Sequence, residues 1–242
     1  LKTSLEHRGD GGPQRAGRRV ELGSHTGYGT GANWTSRQAA EGADEVRVVV
    51  TGAAGFVGRP LCAALQARGH GVTALVRRPP EPPAIVAERV EVIGNLLEVR
   101  DWPRLLAGAE CVVHLAARTH APDEAGTATE TLYETANVAV TERLAEAARE
   151  AGVRRLVYIS SIKVNGEQTF GRPFRADDRP APEDAYGRSK ARAEARLWAM
   201  ADRGLEVVIL RPPLLYGAGV KGNIAQLIRW AARGVPLPLG AI

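Results

Sequence analysis

The sequence predicts an α/β protein, a doubly wound parallel sheet with helices on both faces. Three observations predict it. Six short apolar runs, most of them β-branched, recur between residues 46 and 210, each bounded by glycine, proline, serine or a new helix. Segments with helical spacing separate most of these runs, which calls for crossover connections and therefore parallel strands. The first run also passes directly into a glycine-rich turn that opens a helix.

The elements follow in order. Val46-Arg-Val-Val-Val50 reads as a buried strand ending at Thr51-Gly52. Residues 56–68 carry Val57, Leu61, Ala64 and Leu65 on one helical face and stop at Gly69. Val72 to Val76 is a second strand, and Pro79, Pro80, Pro82 and Pro83 then force a loop. Residues 90–93 and 111–116 form strands three and four. Residues 129–150 are one long amphipathic helix ended by Gly152. Strand five covers 155–159 and runs into Ser160-Ser161; a loop rich in proline and aspartate leads to a helix over 186–203. Strand six covers 205–210, closed by Pro212-Pro213, and a last helix covers about 223–233.

Composition bounds the rest. The 242 residues are 44% hydrophobic and 24% charged, which is ordinary for a folded domain and excludes a disordered chain, a collagen or a disulfide scaffold. Residues 1–45 differ: they hold nine of the 27 glycines and few aliphatics, and are expected to be a disordered leader or a mis-assigned start. Residues 46–242 are the expected folded unit. The +5 net charge invites a nucleic-acid reading, but the basic residues are scattered among acids and only 5% of residues are aromatic, so no nucleic-acid partner is expected. No apolar stretch reaches the length of a membrane span and no secretory signal is visible. Cys62 and Cys111 lack metal-ligand spacing and read as free thiols, consistent with a cytoplasmic protein. No cluster of ligating side chains points to a metal.

Two motifs carry chemistry. The turn Thr51-Gly52-Ala-Ala-Gly55-Phe56-Val57-Gly58 has GxxGxxG spacing after the first strand of a parallel sheet. The first glycine permits the turn, the second lets backbone approach a pyrophosphate, and the third lets helix pack on strand. The phosphates would sit at the helix N-terminus, where free N–H groups and the helix dipole favour anions. A Rossmann-type dinucleotide site is the expectation, with NAD or NADP as cofactor. Arg77-Arg78 ends strand two where an acid would hold a ribose hydroxyl, which leans towards NADP; the alternative is two solvated arginines. The second motif, Tyr186-Gly-Arg-Ser-Lys190, puts Tyr and Lys on one helix face. An ammonium near a phenol lowers its pKa from about 10 and makes an acid/base.

With these segments in place, the chain resembles the extended short-chain dehydrogenase/reductase family, in its nucleotide-sugar epimerase and dehydratase group. The matching segments are Thr51–Gly58, His114-Leu-Ala-Ala117, Asn137, Ser160-Ser161, Tyr186–Lys190 and Arg211-Pro212, in the family's order. Ser160 to Glu167, Arg211 to Gly217 and Val220 to Asn223 look like a UDP-sugar 4-epimerase-like branch. The resemblance implies Tyr186 as the acid/base at a sugar hydroxyl, Lys190 on the nicotinamide ribose, and Ser161 on the same sugar oxygen. It places Ser160, Phe56, Val57, Asn95, Leu96, Leu115, Ala116, Ala117 and Pro212 beside the cofactor. Asn95 stands where relatives carry an adenine-contacting Asp. Asn137 is as consistent with a structural role as with a catalytic one. Lys163, His120 and Asn223 are candidate substrate contacts, Lys163 and Asn223 through phosphate; a solvated Lys163 is the more ordinary alternative. His114 reads as a hydrogen-bonded core histidine.

Dehydratases of the group carry Asp-Glu where this chain has Ile162-Lys163, which disfavours dehydration. What remains is hydride transfer at C4 of a nucleotide sugar, by an epimerase or by a 4-keto reductase or 4-dehydrogenase. A non-enzymatic dinucleotide-binding regulator is the alternative of a different class. The resemblance also implies a substrate region mostly beyond strand six, where about 30 residues remain, so that region is expected to be largely missing. It further implies a homodimer through a four-helix bundle made by the helices at 129–150 and 186–203.

Overall fold

A computed structural model describes residues 44–119, 127–169, 171–220 and 222–233. The leader expected over residues 1–45 lies almost wholly outside them, as does His120. Six parallel strands form one sheet in the order β3-β2-β1-β4-β5-β6. They are β1 (Arg47–Thr51), β2 (Gly71–Val76), β3 (Arg89–Val92), β4 (Cys111–His114), β5 (Arg155–Ile159) and β6 (Glu206–Leu210). The order reverses between β1 and β4, so their C-terminal ends open the crevice where such sheets bind ligands.

The alternating side chains of the strands feed two separate cores, as a doubly wound sheet requires. Val48, Val50, Val72, Ala74 and Val113 pack with Cys62 of α1 (Gly58–Gln66) on one face. Val49, Leu75, Val112, Leu156 and Tyr158 pack on the other, with Leu144 of α4 (Val140–Glu150) and Leu197 of α5 (Ala185–Ala201). Because neighbours in sequence face opposite cores, β1 and β2 read as continuous apolar runs rather than alternating ones.

Differences from expectation are local. A short helix, α2 (Trp102–Leu105), was not predicted; Asp101 caps it by accepting from the Arg104 N–H at 3.3 Å, and Trp102 is buried. The helix expected over 129–150 is divided. It begins as α3 (Thr127–Tyr133), widens into a π-helical turn (Glu134–Ala139) and continues as α4. The wide turn sets Asn137 inward, where its side chain bonds the backbone of Arg118; periodicity cannot foresee a tertiary demand of this kind. The last helix, α6, runs Gly222–Ala232. Among the described residues, no helix is long and apolar enough to cross a membrane.

Candidate active site

Gly52 ends β1 with φ +68°, and a Cβ there would lie 2.7 Å from the Ala116 nitrogen. Only glycine lets the turn lie flat against the end of β4. At Gly58 a Cβ would come within 2.7 Å of the Ala53 Cα, so α1 can start this close to β1 only without a side chain. The glycine turn is thus a backbone surface leading into the N-terminus of α1. Arg59 fastens it from outside: its guanidinium donates to the carbonyls of Ala54, Glu81 and Pro83 and ties the turn to the loop after β2.

A cavity of about 600 Å³ opens beside this surface. Its lining includes Gly52, Arg77, Asn95, Leu96, Ala116 and Ala117, all six from the predicted cofactor set. Gly55, Phe56, Val57, Gly58, Arg78, Leu115, Ser160, Tyr186, Lys190 and Pro212 are not in that lining. The sequence reading missed Val76, Ala136 and Val140, the last two contributed by the divided helix. Asn95 also has a local role: it caps a 3-10 turn by accepting from the Leu97 N–H at 3.2 Å. The volume is that of a small-molecule or cofactor site. A flat glycine turn, a helix N-terminus and a cavity at the sheet's reversal point together fit a dinucleotide.

The Tyr–Lys pair lies at the neighbouring strand end. Lys190 is 2% exposed; its Nζ donates to the Ile159 carbonyl at 2.8 Å and sits 4.5 Å over the Tyr158 ring and 5.9 Å over the Tyr186 ring. Burial holds its pKa down to about 7, with the Glu194 carboxylate pulling the other way. Tyr186 is half-buried and tilted against Tyr133 at 5.9 Å between ring centroids. Its phenol is pushed up to about 12, by burial first and then by Asp184 and Tyr133, while Lys163 and hydrogen bonding with Ser161 oppose the rise. The expected lowering by Lys190 is therefore not the governing effect here: burial of the phenol outweighs the charges around it.

The two serines separate in role. Ser160 is buried and its hydroxyl donates to Glu194 Oε1 at 2.5 Å, away from the cavity lining. Ser161 precedes a 3-10 turn (Ile162–Val164), accepts from the Lys163 N–H at 3.3 Å, and interacts with the Tyr186 phenol. Glu194 is held by Arg211 through both oxygens, down to 2.6 Å, and Arg211 also donates to Asn165 Oδ1. The Pro212 carbonyl accepts from the Ile162 N–H at 3.0 Å. The Arg211-Pro212 motif thus braces the serine turn. Lys163 is paired with Asp184 at 2.6 Å and Glu167 at 2.8 Å. The side chain of Asn223 lies outside the described residues.

A buried polar chain connects the two halves of the site. The Ala116 N–H donates to Thr51 Oγ1, which meets His114 Nδ1 at 2.6 Å; His114 Nε2 meets Thr141 Oγ1 at 3.1 Å. Thr141 donates to the Asn137 carbonyl, Asn137 Nδ2 donates to Ser189 Oγ, and Ser189 donates to the Tyr186 carbonyl at 2.7 Å. Burial drops His114 to about 3, so the imidazole is neutral and offers one donor and one acceptor, which is what bridging two hydroxyls needs. The network positions the glycine turn relative to the helix of Tyr186. Thr51 and Ser189 fell inside the two sequence motifs without a role of their own, and nothing in the sequence pattern singled out Thr141.

This geometry defines a class first: a dinucleotide-binding α/β domain in which a Ser, a Tyr and a Lys stand together beside the cavity. Comparison with known proteins narrows it. Residues 48–240 match the model of the NAD dependent epimerase/dehydratase family, and the chain belongs to that family. It is 41% identical over 199 residues to a UDP-glucose 4-epimerase of Vibrio cholerae, covering 81% of this chain and 60% of that protein. It is 33% identical to a 2-alkyl-3-oxoalkanoate reductase of Stenotrophomonas maltophilia, over 78% of this chain and 57% of the relative. Among solved structures, MoeE5 in complex with UDP-glucose and NAD superposes with a TM-score of 0.67 at 36% identity, covering 79% of this chain and 62% of that one. A UDP-glucuronic acid 4-epimerase from Bacillus cereus in complex with NAD gives 0.66 at 26% identity, over 79% and 64%. The chain therefore spans about 60% of the length of these relatives.

Proposed function

We propose that this chain forms the cofactor-binding and proton-transfer part of an enzyme that epimerises a UDP-sugar at C4. The observation that carries this is the placement of Ser161 and Tyr186 together, beside Lys190, at the C-terminal edge of a sheet whose neighbouring strand ends border the 600 Å³ cavity. The likeness to the Vibrio epimerase and to structures containing UDP-glucose with NAD supports the substrate class. Bound NAD or NADP supplies the hydride acceptor and donor at the sugar carbon. The cavity side of the glycine turn, Asn95, Leu96, Ala116 and Ala117 would hold it.

The chain's own residues handle the proton. Tyr186 in its ionised form takes the proton of the C4 hydroxyl and returns it, and Ser161 holds the same oxygen in line; with the phenol held near 12 that form is scarce at neutral pH, so turnover should rise with pH. Lys190, packed over the Tyr158 ring one turn further along α5, closes the floor beneath Tyr186 and fixes the distance between the phenol and the strand ends. The phenol is half-buried, so the transferred proton passes between it and the substrate oxygen with limited exchange into bulk water.

The test is to incubate the protein with UDP-glucose and catalytic NAD and follow UDP-galactose by proton NMR. Product without net NADH is expected. Net consumption of NADPH with a 4-keto sugar would instead establish the reductase reading, which Arg77 favours because it lines the cavity at the end of β2. On that reading Arg77→Ser should weaken NADPH binding by about tenfold, the loss of one guanidinium–phosphate contact, and leave NADH nearly unchanged; fluorescence titration with both cofactors checks it. Arg78 is exposed and outside the cavity lining, so the same substitution there should have little effect.

A further inference from the structure

We propose that Lys163 and Asp184 are positioning residues, whose ion pair clamps the turn bearing Ser161 to the first turn of the helix bearing Tyr186. The inference rests on the reading of Tyr186 as acid/base. Lys163 lies in the turn that Ser161 opens, and its Nζ reaches Asp184 Oδ2 at 2.6 Å. Asp184 is the N-cap of α5: its other oxygen accepts from the Gly187 N–H at 2.6 Å, one residue past Tyr186. One carboxylate therefore holds both segments at once. The backbones also touch, since a Cβ at Gly187 would lie 2.8 Å from the Lys163 carbonyl oxygen, and the Ala181 N–H donates to the Val164 carbonyl at 2.9 Å.

Ser161 and Tyr186 must meet one substrate oxygen together, and a misplacement of an ångström at such a site is costly in rate. The Lys163 and Asp184 side chains are 39% and 40% exposed, so their pair contributes little to folding stability. Its position, not its strength, gives it a role. The pair also sets the field at the phenol with opposite signs. Asp184 raises the Tyr186 pKa and Lys163 lowers it. The other titratable groups facing the phenol among the described residues are Tyr133 of α3, which raises it, and Lys190, one turn along α5. Glu167 is the second partner of the Lys163 ammonium, at 2.8 Å.

The test uses Lys163→Met, Lys163→Arg and Asp184→Asn, the last keeping a capping oxygen. Lys163→Met is expected to lower kcat about tenfold with KM within about twofold, the pattern of a lost alignment. Lys163→Arg should restore most of that rate. The pH limb of kcat assigned to Tyr186 should move up by about one unit in Lys163→Met and down by a similar amount in Asp184→Asn. Full kcat in Lys163→Met, or a shift of the same sign in both variants, would overturn the proposal. A second readout needs no substrate: tyrosinate absorbance, taken as the difference from Tyr186→Phe, should begin to rise at lower pH in Asp184→Asn than in wild type. If the wild-type protein turns over no nucleotide sugar, the proposed reaction fails, and the absorbance titration still decides the clamp.

Discussion

Arg211→Ala is expected to lower the unfolding free energy by about 3–5 kcal/mol, the usual consequence of breaking a buried ion pair from one side. Glu194 is 3% exposed and the Arg211 side chain 16%, and the guanidinium meets both carboxylate oxygens. Without it the carboxylate keeps the Ser160 hydroxyl at 2.5 Å and, for charge, the Lys190 ammonium, which burial holds near neutrality. The cost comes from leaving a charge buried and unpaired, and much less from the intrinsic worth of the pair. Arg211→Met with Glu194→Met should therefore recover most of the loss, because both charges leave together. Urea unfolding of the single and double variants measures this; a loss below about 1 kcal/mol for Arg211→Ala would refute the burial argument. The single variant should also loosen the bend between Ser160 and Ser161, since Arg211 and Pro212 brace it from β6.

The fold was legible because its determinants are local. Each strand announced itself as an apolar run, and the runs between helical segments dictated parallel order, observed as β3-β2-β1-β4-β5-β6. Of the candidate site, the cradle was legible for a steric reason: Gly52 and Gly58 stand where a Cβ would strike backbone, so the chemistry requires those residue types at that spacing. Contacts between distant segments were not legible. The π-helical turn around Asn137 answers to the backbone of Arg118, 19 residues away, and Thr51 answers to His114 across the sheet. The pairing of Lys163 with Asp184 spans 21 positions. Asp184 did leave a signal, as a capping residue directly before a helix, and Glu194 left one as an acid four residues after Lys190. The pH behaviour of the Tyr–Lys pair was misjudged from sequence, because spacing shows proximity and cannot show that burial would act on both groups more strongly than they act on each other.

That dominance of burial makes Lys190→Met a stabilising substitution and an inactivating one. In the folded protein the ammonium is held at a pKa of about 7, against 10.5 for a free lysine. Between these values the unfolded chain binds the extra proton and the folded one does not, so stability rises with pH across that window. Below about pH 7 both states carry the proton and the full cost of the buried charge is present. Removing the charge should raise the unfolding free energy at pH 7 by roughly 1–3 kcal/mol, after the lost bond to the Ile159 carbonyl is set against the gain. The gain should shrink towards zero or reverse near pH 10.5, which gives the experiment an internal control. Met is close to Lys in shape, and its thioether can take the place over the Tyr158 ring that Nζ now holds. Turnover should meanwhile fall by about 10²–10⁴-fold, the range for losing a proton-transfer partner, because the floor beneath Tyr186 and the donor at the end of β5 go with the ammonium. Denaturant titrations at pH 6, 8 and 10 on wild type and variant decide the matter. A variant less stable than wild type at pH 6, or a difference that does not change with pH, would show that Lys190 is held charged by its surroundings and that the depressed pKa is wrong.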